Sequence, residues 1–309
     1  MEFRTAYNPR KSSIGLSPER PVLLMGSCFT DAIGERMRRG MWPVCVNPCG
    51  TLFNPLSIAR LVDMALSDEQ PELFEAEGLW RSWNFPATFA CVSRREALAS
   101  MRKALAGLRE AVVNSQAAIF TLGSALVYSL VKNGSPVANC HKMPSAMFCR
   151  ELWSVAGLAD VLRRCIAAMR RYNPGVHVIL TVSPVRHVRE GFHDNALSKA
   201  TLLLACRELE GECDYFPAFE ILNDDLRDYR FYAEDLVHPS AVAEDYIYSA
   251  FRRTYLSAED DALLTEAGKL RSRMEHRPLH SDTRQAAEFR AATGRMLAEF
   301  LAAHPAMRP

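Results

Sequence analysis

Short apolar runs rich in β-branched or aromatic residues, each closed by turn chemistry, recur along the chain. Four read as buried strands: Pro21 to Met25, Ala117 to Leu122, Val176 to Val182 and Tyr215 to Ile221. Helical periodicity fills the intervals. Phe29, Ile33 and Met37 repeat at four-residue spacing directly after the first run, Leu158 to Met169 carries a wider apolar stripe, and Leu197 to Leu209 repeats the pattern. A last core helix follows Pro239-Ser240, with Val242, Tyr246, Ala250 and Phe251 as its expected buried face. Strands alternating with helices predict the α/β class, a parallel sheet covered on both faces, with ligands bound beyond the carboxyl ends of the strands.

Two regions fall outside that alternation. Residues 52–116 read as a mainly helical insertion with Trp80, Trp83 and Phe85 clustered in its middle. From about residue 256 charged residues alternate with Leu and Ala, and Ala258 to Glu275 and Thr283 to Ala303 read as amphipathic helices broken at Arg277-Pro278. The expected organisation is a core domain over 1–255 and a helical hairpin over 256–309, packed on the core or on a second copy of the chain.

Composition narrows the classes of function. With 309 residues, 49% hydrophobic and 24% charged, the chain can bury a full core. Its 37 basic and 36 acidic side chains leave a formal +1, so no global field gathers nucleic acid. No stretch approaches the roughly 20 uninterrupted apolar residues of a membrane helix, and the first residues lack the apolar core of a secretory signal, so a cytoplasmic location is expected. Nine scattered cysteines suit reduced, largely buried thiols. Cys45 with Cys49, or Cys140 with His141, approach metal-ligand spacing without a matching second pair, so neither metal nor cofactor is expected.

The sharpest local signal is Leu23-Leu24-Met25-Gly26-Ser27-Cys28-Phe29-Thr30, where an apolar strand ends in Gly-Ser and a helix begins at once. A serine there lies beside free helix N–H groups able to stabilise an oxyanion. Ser27 as a simple helix cap is the competing reading. The second signal is Asp235-Leu236-Val237-His238-Pro239-Ser240 before the last core helix, a spacing that can turn a carboxylate toward an imidazole and fix its tautomer. A loop histidine in a solvated acidic stretch is the rival reading there.

A strand-end nucleophile followed much later by Asp-x-x-His is the chain order of the SGNH, or GDSL-like, hydrolases. Gly26-Ser27-Cys28-Phe29, Ser183-Pro184-Val185-Arg186-His187, Asn195-x-x-Ser198-Lys199-Ala200 and Asp235-x-x-His238-Pro239-Ser240 together resemble the GSCFA-domain family, with Thr30 where that family usually has Ala. The likeness runs from about residue 20 to 255. It implies a three-layer α/β/α, SGNH-like (flavodoxin-like) fold with a helical insertion and a C-terminal helical extension. It also implies ester hydrolysis, with Ser27 as nucleophile, His238 as base and Asp235 orienting it.

The resemblance further implies an oxyanion hole made of the Ser27 N–H, a glycine N–H and an asparagine side chain. Gly50 in Asn47-Pro48-Cys49-Gly50-Thr51 is the candidate glycine. The asparagine is missing from its place, where Gly123-Ser124-Ala125-Leu126 stands, and Asn139 or His141 on a downstream loop are the candidates to replace it. Arg186 and His187 follow a strand end and so are expected near the site, binding a substrate carboxylate or hydroxyl. An ion pair between Arg186 and the Asp224 to Asp228 stretch is the structural alternative. Asn195, Ser198 and Lys199 receive no chemical role.

Two rivals stand beside the serine hydrolase. A Cys28 thiolate at a helix N-terminus is a conceivable nucleophile. From another class, the alternative is a non-catalytic binding or scaffold module, to which the incomplete oxyanion hole points. The expected substrate is a small-molecule, glycan or lipid ester, with Trp80, Trp83, Phe85 and Phe89 either lining a groove or packed in the interior.

Overall fold

The computed structural model describes residues 4–309. Five parallel strands form the central sheet: β1 (Val22–Gly26), β2 (Val44–Val46), β5 (Ala117–Leu122), β9 (His177–Val182) and β10 (Asp214–Tyr215), in the order β10-β9-β5-β1-β2. The runs VLLMG and AAIFTL are buried at every position, as strands covered on both faces require. Leu23, Met25, Ala118, Phe120, Val178 and Leu180 face one apolar cluster, while Val22, Leu24, Ala117, Ile119 and Ile179 face the other. That period-two division makes three layers.

The first cluster is closed by α2 (Pro55–Ser67), α3 (Arg94–Asn114), α4 (Val155–Tyr172) and α5 (Phe192–Arg207). The second is closed by α1 (Cys28–Arg39), α6 (Ala218–Glu220, continuing into a π-helical turn over Ile221–Leu226) and α7 (Ala241–Tyr255). It takes in α8 (Ala258–Glu275) and α9 (Arg284–Ala303) as a C-terminal extension. Leu264, Ala267, Leu270 and Phe300 from these last helices are buried in it.

Between α2 and α3 a short antiparallel hairpin, β3 (Phe74–Ala76) and β4 (Leu79–Arg81), interrupts the helical segment. After β5 a small antiparallel sheet joins β6 (Leu126–Leu130), β7 (Pro136–Val137) and β8 (Phe148–Leu152). Among the described residues no helix is long and apolar enough to cross a membrane.

Three local expectations are corrected. Tyr215 to Ile221 is not a strand, because Pro217 cannot join the ladder; pairing stops at Tyr215 and the chain turns into α6. Val44–Val46 is a strand too short to be read from its pattern, paired in parallel with β1. In α7, Ala250 and Phe251 are buried as expected, but Val242 is 67% exposed and Tyr246 only partly buried, and Ala243, Ile247 and Tyr255 complete the buried face.

The chain passes from β1 to β2 on one side and then returns to β5 on the other, so the order reverses between β1 and β5. In parallel sheets the crevice beyond the carboxyl ends at such a reversal is where ligands bind. Ser27, Gly123 and Ser183 directly follow β1, β5 and β9 there.

Candidate active site

Gly26 sets the entrance to the site. Its φ is +143°, and an added Cβ would overlap the Thr121 carbonyl, so only glycine lets β1 run this close to β5 before the chain turns. Ser27 then occupies the N-cap position of α1 in extended backbone, but its side chain makes no capping bond. Its Oγ instead donates to Ser183 Oγ at 2.9 Å, with both residues fully buried. The cap role expected as the rival reading is therefore not the one Ser27 plays.

Asp235 and His238 are brought together. His238 Nδ1 lies 2.6 Å from Asp235 Oδ2, and Asp235 Oδ1 accepts the backbone N–H groups of Val237 at 2.9 Å and His238 at 3.0 Å. Those three bonds hold the carboxyl group down to about 2, the backbone N–H of His238 contributing most. The loop itself follows from its sequence: Ala233 N–H donates to His238 O, Leu236 takes a left-handed φ of 57°, and Ser240 caps α7 through the Ala243 N–H. Both Asp235 and His238 are about half exposed, and His238 Nε2 has no protein hydrogen bond among the described residues.

The segment after β9 links Ser27 to the Asp235–His238 pair. Ser183 meets Ser27, and three residues later the Arg186 N–H donates to Val237 O at 3.2 Å, beside His238. No hydrogen bond joins Ser27 to His238 among the described residues.

His187 lies within this segment. Its backbone N–H donates to Asn195 Oδ1 at 2.9 Å, its ring meets Phe53 edge-on at 5.5 Å, and its Nε2 is buried without a partner among the described residues. Burial, with the neighbouring Lys199 and His238 adding to it, pushes its imidazole down to about 4, so the ring is neutral at physiological pH. The expected pairing of Arg186 with the acidic stretch is not found: Asp225 binds Arg4 at 3.1 Å and Asp228 lies 3.8 Å from Arg230. The Arg186 guanidinium lies over Tyr232 at 4.1 Å and Tyr229 at 5.0 Å, free of any carboxylate among the described residues.

The predicted oxyanion donors fare differently. The Ser27 N–H donates to Thr121 O at 3.1 Å, and the Gly50 N–H closes its own turn on Asn47 O at 2.7 Å. The Gly50 loop does approach Ser27, since Leu52 N–H in the same loop donates to Gly26 O. No hydrogen bond joins Asn139 or His141 to Ser27 among the described residues. Asn139 Oδ1 accepts the His141 N–H at 2.7 Å, shaping a turn, while His141 Nε2 meets Ser82 O at 2.9 Å. The His141 ring packs against Phe74 and Trp83, whose own rings stack at 3.9 Å. Phe85 is fully buried and Trp80 lies against Arg94, so these aromatic residues pack internally or on the surface of the hairpin region.

The sequence reading missed the role of α5. Asn195, Ser198 and Lys199 share one face with buried Leu202 and Ala205, and that face covers the strand ends. Ser198 Oγ accepts the Ala125 N–H at 2.7 Å, and Lys199, 2% exposed, donates from Nζ to Gly123 O and Ser183 O, both at 2.7 Å. A lysine inside an otherwise apolar helical stripe was the available signal. Cys28 has its thiol pushed up, chiefly by burial, which disfavours the thiolate a cysteine nucleophile needs. A cavity of about 1010 Å³ lies elsewhere, beneath the N-terminal arm near His177, Tyr215 and Glu220.

The family model of the GSCFA family matches residues 21–251, most of the chain and all four of the segments that form this site. The chain belongs to the GSCFA family. No curated protein matches it. Among solved structures, this GSCFA chain is similar to a carbohydrate esterase family 3 protein from Talaromyces cellulolyticus. The identity is 11%, with 80% of this chain and 99% of that one covered, at a TM-score of 0.35. Overlap that low carries no inference about activity.

Proposed function

We propose that this GSCFA chain is a serine hydrolase of the SGNH type that cleaves an ester through a Ser27 acyl-enzyme. The observation that carries the reading is the Asp235–His238 pair. With Nδ1 held by a carboxylate that stays ionised, the neutral imidazole keeps its lone pair on Nε2, the form a general base requires. The Arg186–Val237 bond ties this loop to the strand-end segment that touches Ser27.

In the reaction Ser27 leaves Ser183, gives its proton to His238 Nε2 and attacks the ester carbonyl. The imidazolium, stabilised by Asp235, returns that proton to the departing alkoxide. Water repeats the sequence on the acyl-enzyme, regenerating Ser27. Arg186 has a planar cation without a carboxylate partner among the described residues, on the segment beside the dyad. It is our candidate for binding an oxygen-rich or anionic part of the substrate, a carbohydrate O-acyl ester or a lipid ester.

One observation favours a non-catalytic module instead: Ser27 is fully buried with its hydroxyl engaged by Ser183. Turnover separates the two. Acetylated sugars and p-nitrophenyl esters of increasing chain length are the substrates to screen, with Ser27→Ala as control. Release of acid by the wild type and not by the variant supports the hydrolase; equal release by both removes it.

A further inference from the structure

The donors that would receive a developing oxyanion are already in use. The Ser27 N–H is bound to Thr121 O and the Gly50 N–H to Asn47 O, while Ala125 stands where an asparagine was expected. Ser183 differs from all of these. Its Oγ lies 2.9 Å from Ser27 Oγ and accepts that hydroxyl, and it also accepts the Val185 N–H at 3.3 Å. A hydroxyl has one proton and two lone pairs. Both lone pairs being taken, the Ser183 proton remains, and it has no acceptor among the described residues.

We propose that Ser183 is a catalytic residue whose hydroxyl donates to the oxyanion formed at Ser27, and that Lys199 is the positioning residue that fixes it. The inference rests on the Ser27 hydrolase reading. When Ser27 Oγ bonds to the acyl carbon, its proton passes to His238 and the carbonyl π pair moves onto oxygen. Loss of the Ser27 proton ends the Ser27–Ser183 bond. Ser183 can then turn its own proton onto an oxyanion only two bonds from Ser27 Oγ, within the ~2.7–3.1 Å that such donors need. As the intermediate collapses, the pair re-forms the carbonyl and the alkoxide leaves with the proton held by His238.

Lys199 makes this placement rigid. Its bonds to Ser183 O and Gly123 O, at 2.7 Å each, pin the residues that follow β9 and β5.

Phosphonylation of Ser27 by a fluorophosphonate probe develops comparable charge on the phosphoryl oxygen and supplies the test. Rates are measured on the full chain for wild type, Ser183→Ala, Ser183→Thr, Lys199→Met and the Ser183→Ala/Lys199→Met double variant, with folding checked by circular dichroism. Ser183→Ala should lower the limiting rate by about 10²–10³-fold with half-saturation unchanged, and Ser183→Thr should recover most of it. Lys199→Met should lower the rate in the wild-type background and add little in Ser183→Ala. If Ser183 merely holds the Ser27 proton, Ser183→Ala reacts as fast as wild type or faster, which overturns the inference while leaving Ser27 as nucleophile. Additive losses overturn the part given to Lys199. Inert wild-type protein overturns the hydrolase reading and this inference with it. Should Lys199→Met not fold, the two Ser183 variants decide alone.

Discussion

Asp235 holds His238 at two points: Oδ2 takes the ring Nδ1 at 2.6 Å while Oδ1 takes the backbone N–H of the same residue at 3.0 Å. The carboxylate thus orients the imidazole and shapes the loop that carries it. Asp235→Asn keeps the loop-forming oxygen but presents either an amide or a neutral acceptor to Nδ1. Ester turnover should fall by up to about 10⁴-fold while the fold survives. Steady-state kinetics beside circular dichroism checks this; turnover within about 10-fold of wild type would remove Asp235 from the mechanism.

Cys28 adjoins Ser27, the proposed nucleophile. Burial pushes its thiol up, so at neutral pH it carries its proton. Cys28→Ala should retain activity within about threefold, and the wild type should resist iodoacetamide at this position, read by mass spectrometry. Loss of activity together with rapid alkylation would transfer the nucleophile to Cys28.

Gly26→Ala meets both a φ of +143° and the Thr121 carbonyl. The strained backbone and the overlap should destabilise the fold by upward of about 2 kcal/mol, lowering the urea midpoint. A midpoint equal to wild type would mean that β1 and β5 separate more readily than their register implies.

His187 makes stability depend on pH. Its folded value, about 4, lies below the ordinary histidine value, so between these two the unfolded chain binds the extra proton and the folded chain does not. Stability from this group is complete above about pH 6.5 and falls as pH drops toward 4. His141, lowered by burial, adds a contribution of the same sign. His187→Gln should flatten the slope of unfolding free energy over this window, measured by urea titration at several pH values. An unchanged slope would contradict the buried, neutral imidazole.

The sheet was legible where strands are covered on both faces, because β1, β5 and β9 are then almost wholly apolar. It was not legible at its edges. Val44–Val46 has three residues, too few for a pattern, and Tyr215 to Ile221 looks strand-like until Pro217 ends the ladder. The site divides along similar lines. Ser27 and Asp235-x-x-His238 announce themselves because their local geometry is set within a few residues. Ser183, Ser198 and Lys199 act across the fold, through contacts spanning 156, 73 and 16 residues, and no local motif carries such distances. Gly50 and Asn139 each spend a hydrogen bond on their own turn, which composition does not reveal.

The central claim, an activated serine at position 27, is tested most directly by fluorophosphonate labelling with peptide mapping of wild type, Ser27→Ala and His238→Ala, all folded. The account predicts one adduct, on Ser27, lost in Ser27→Ala and reduced at least about 10³-fold in His238→Ala. An unlabelled wild type, or an adduct that survives Ser27→Ala unchanged, would contradict it.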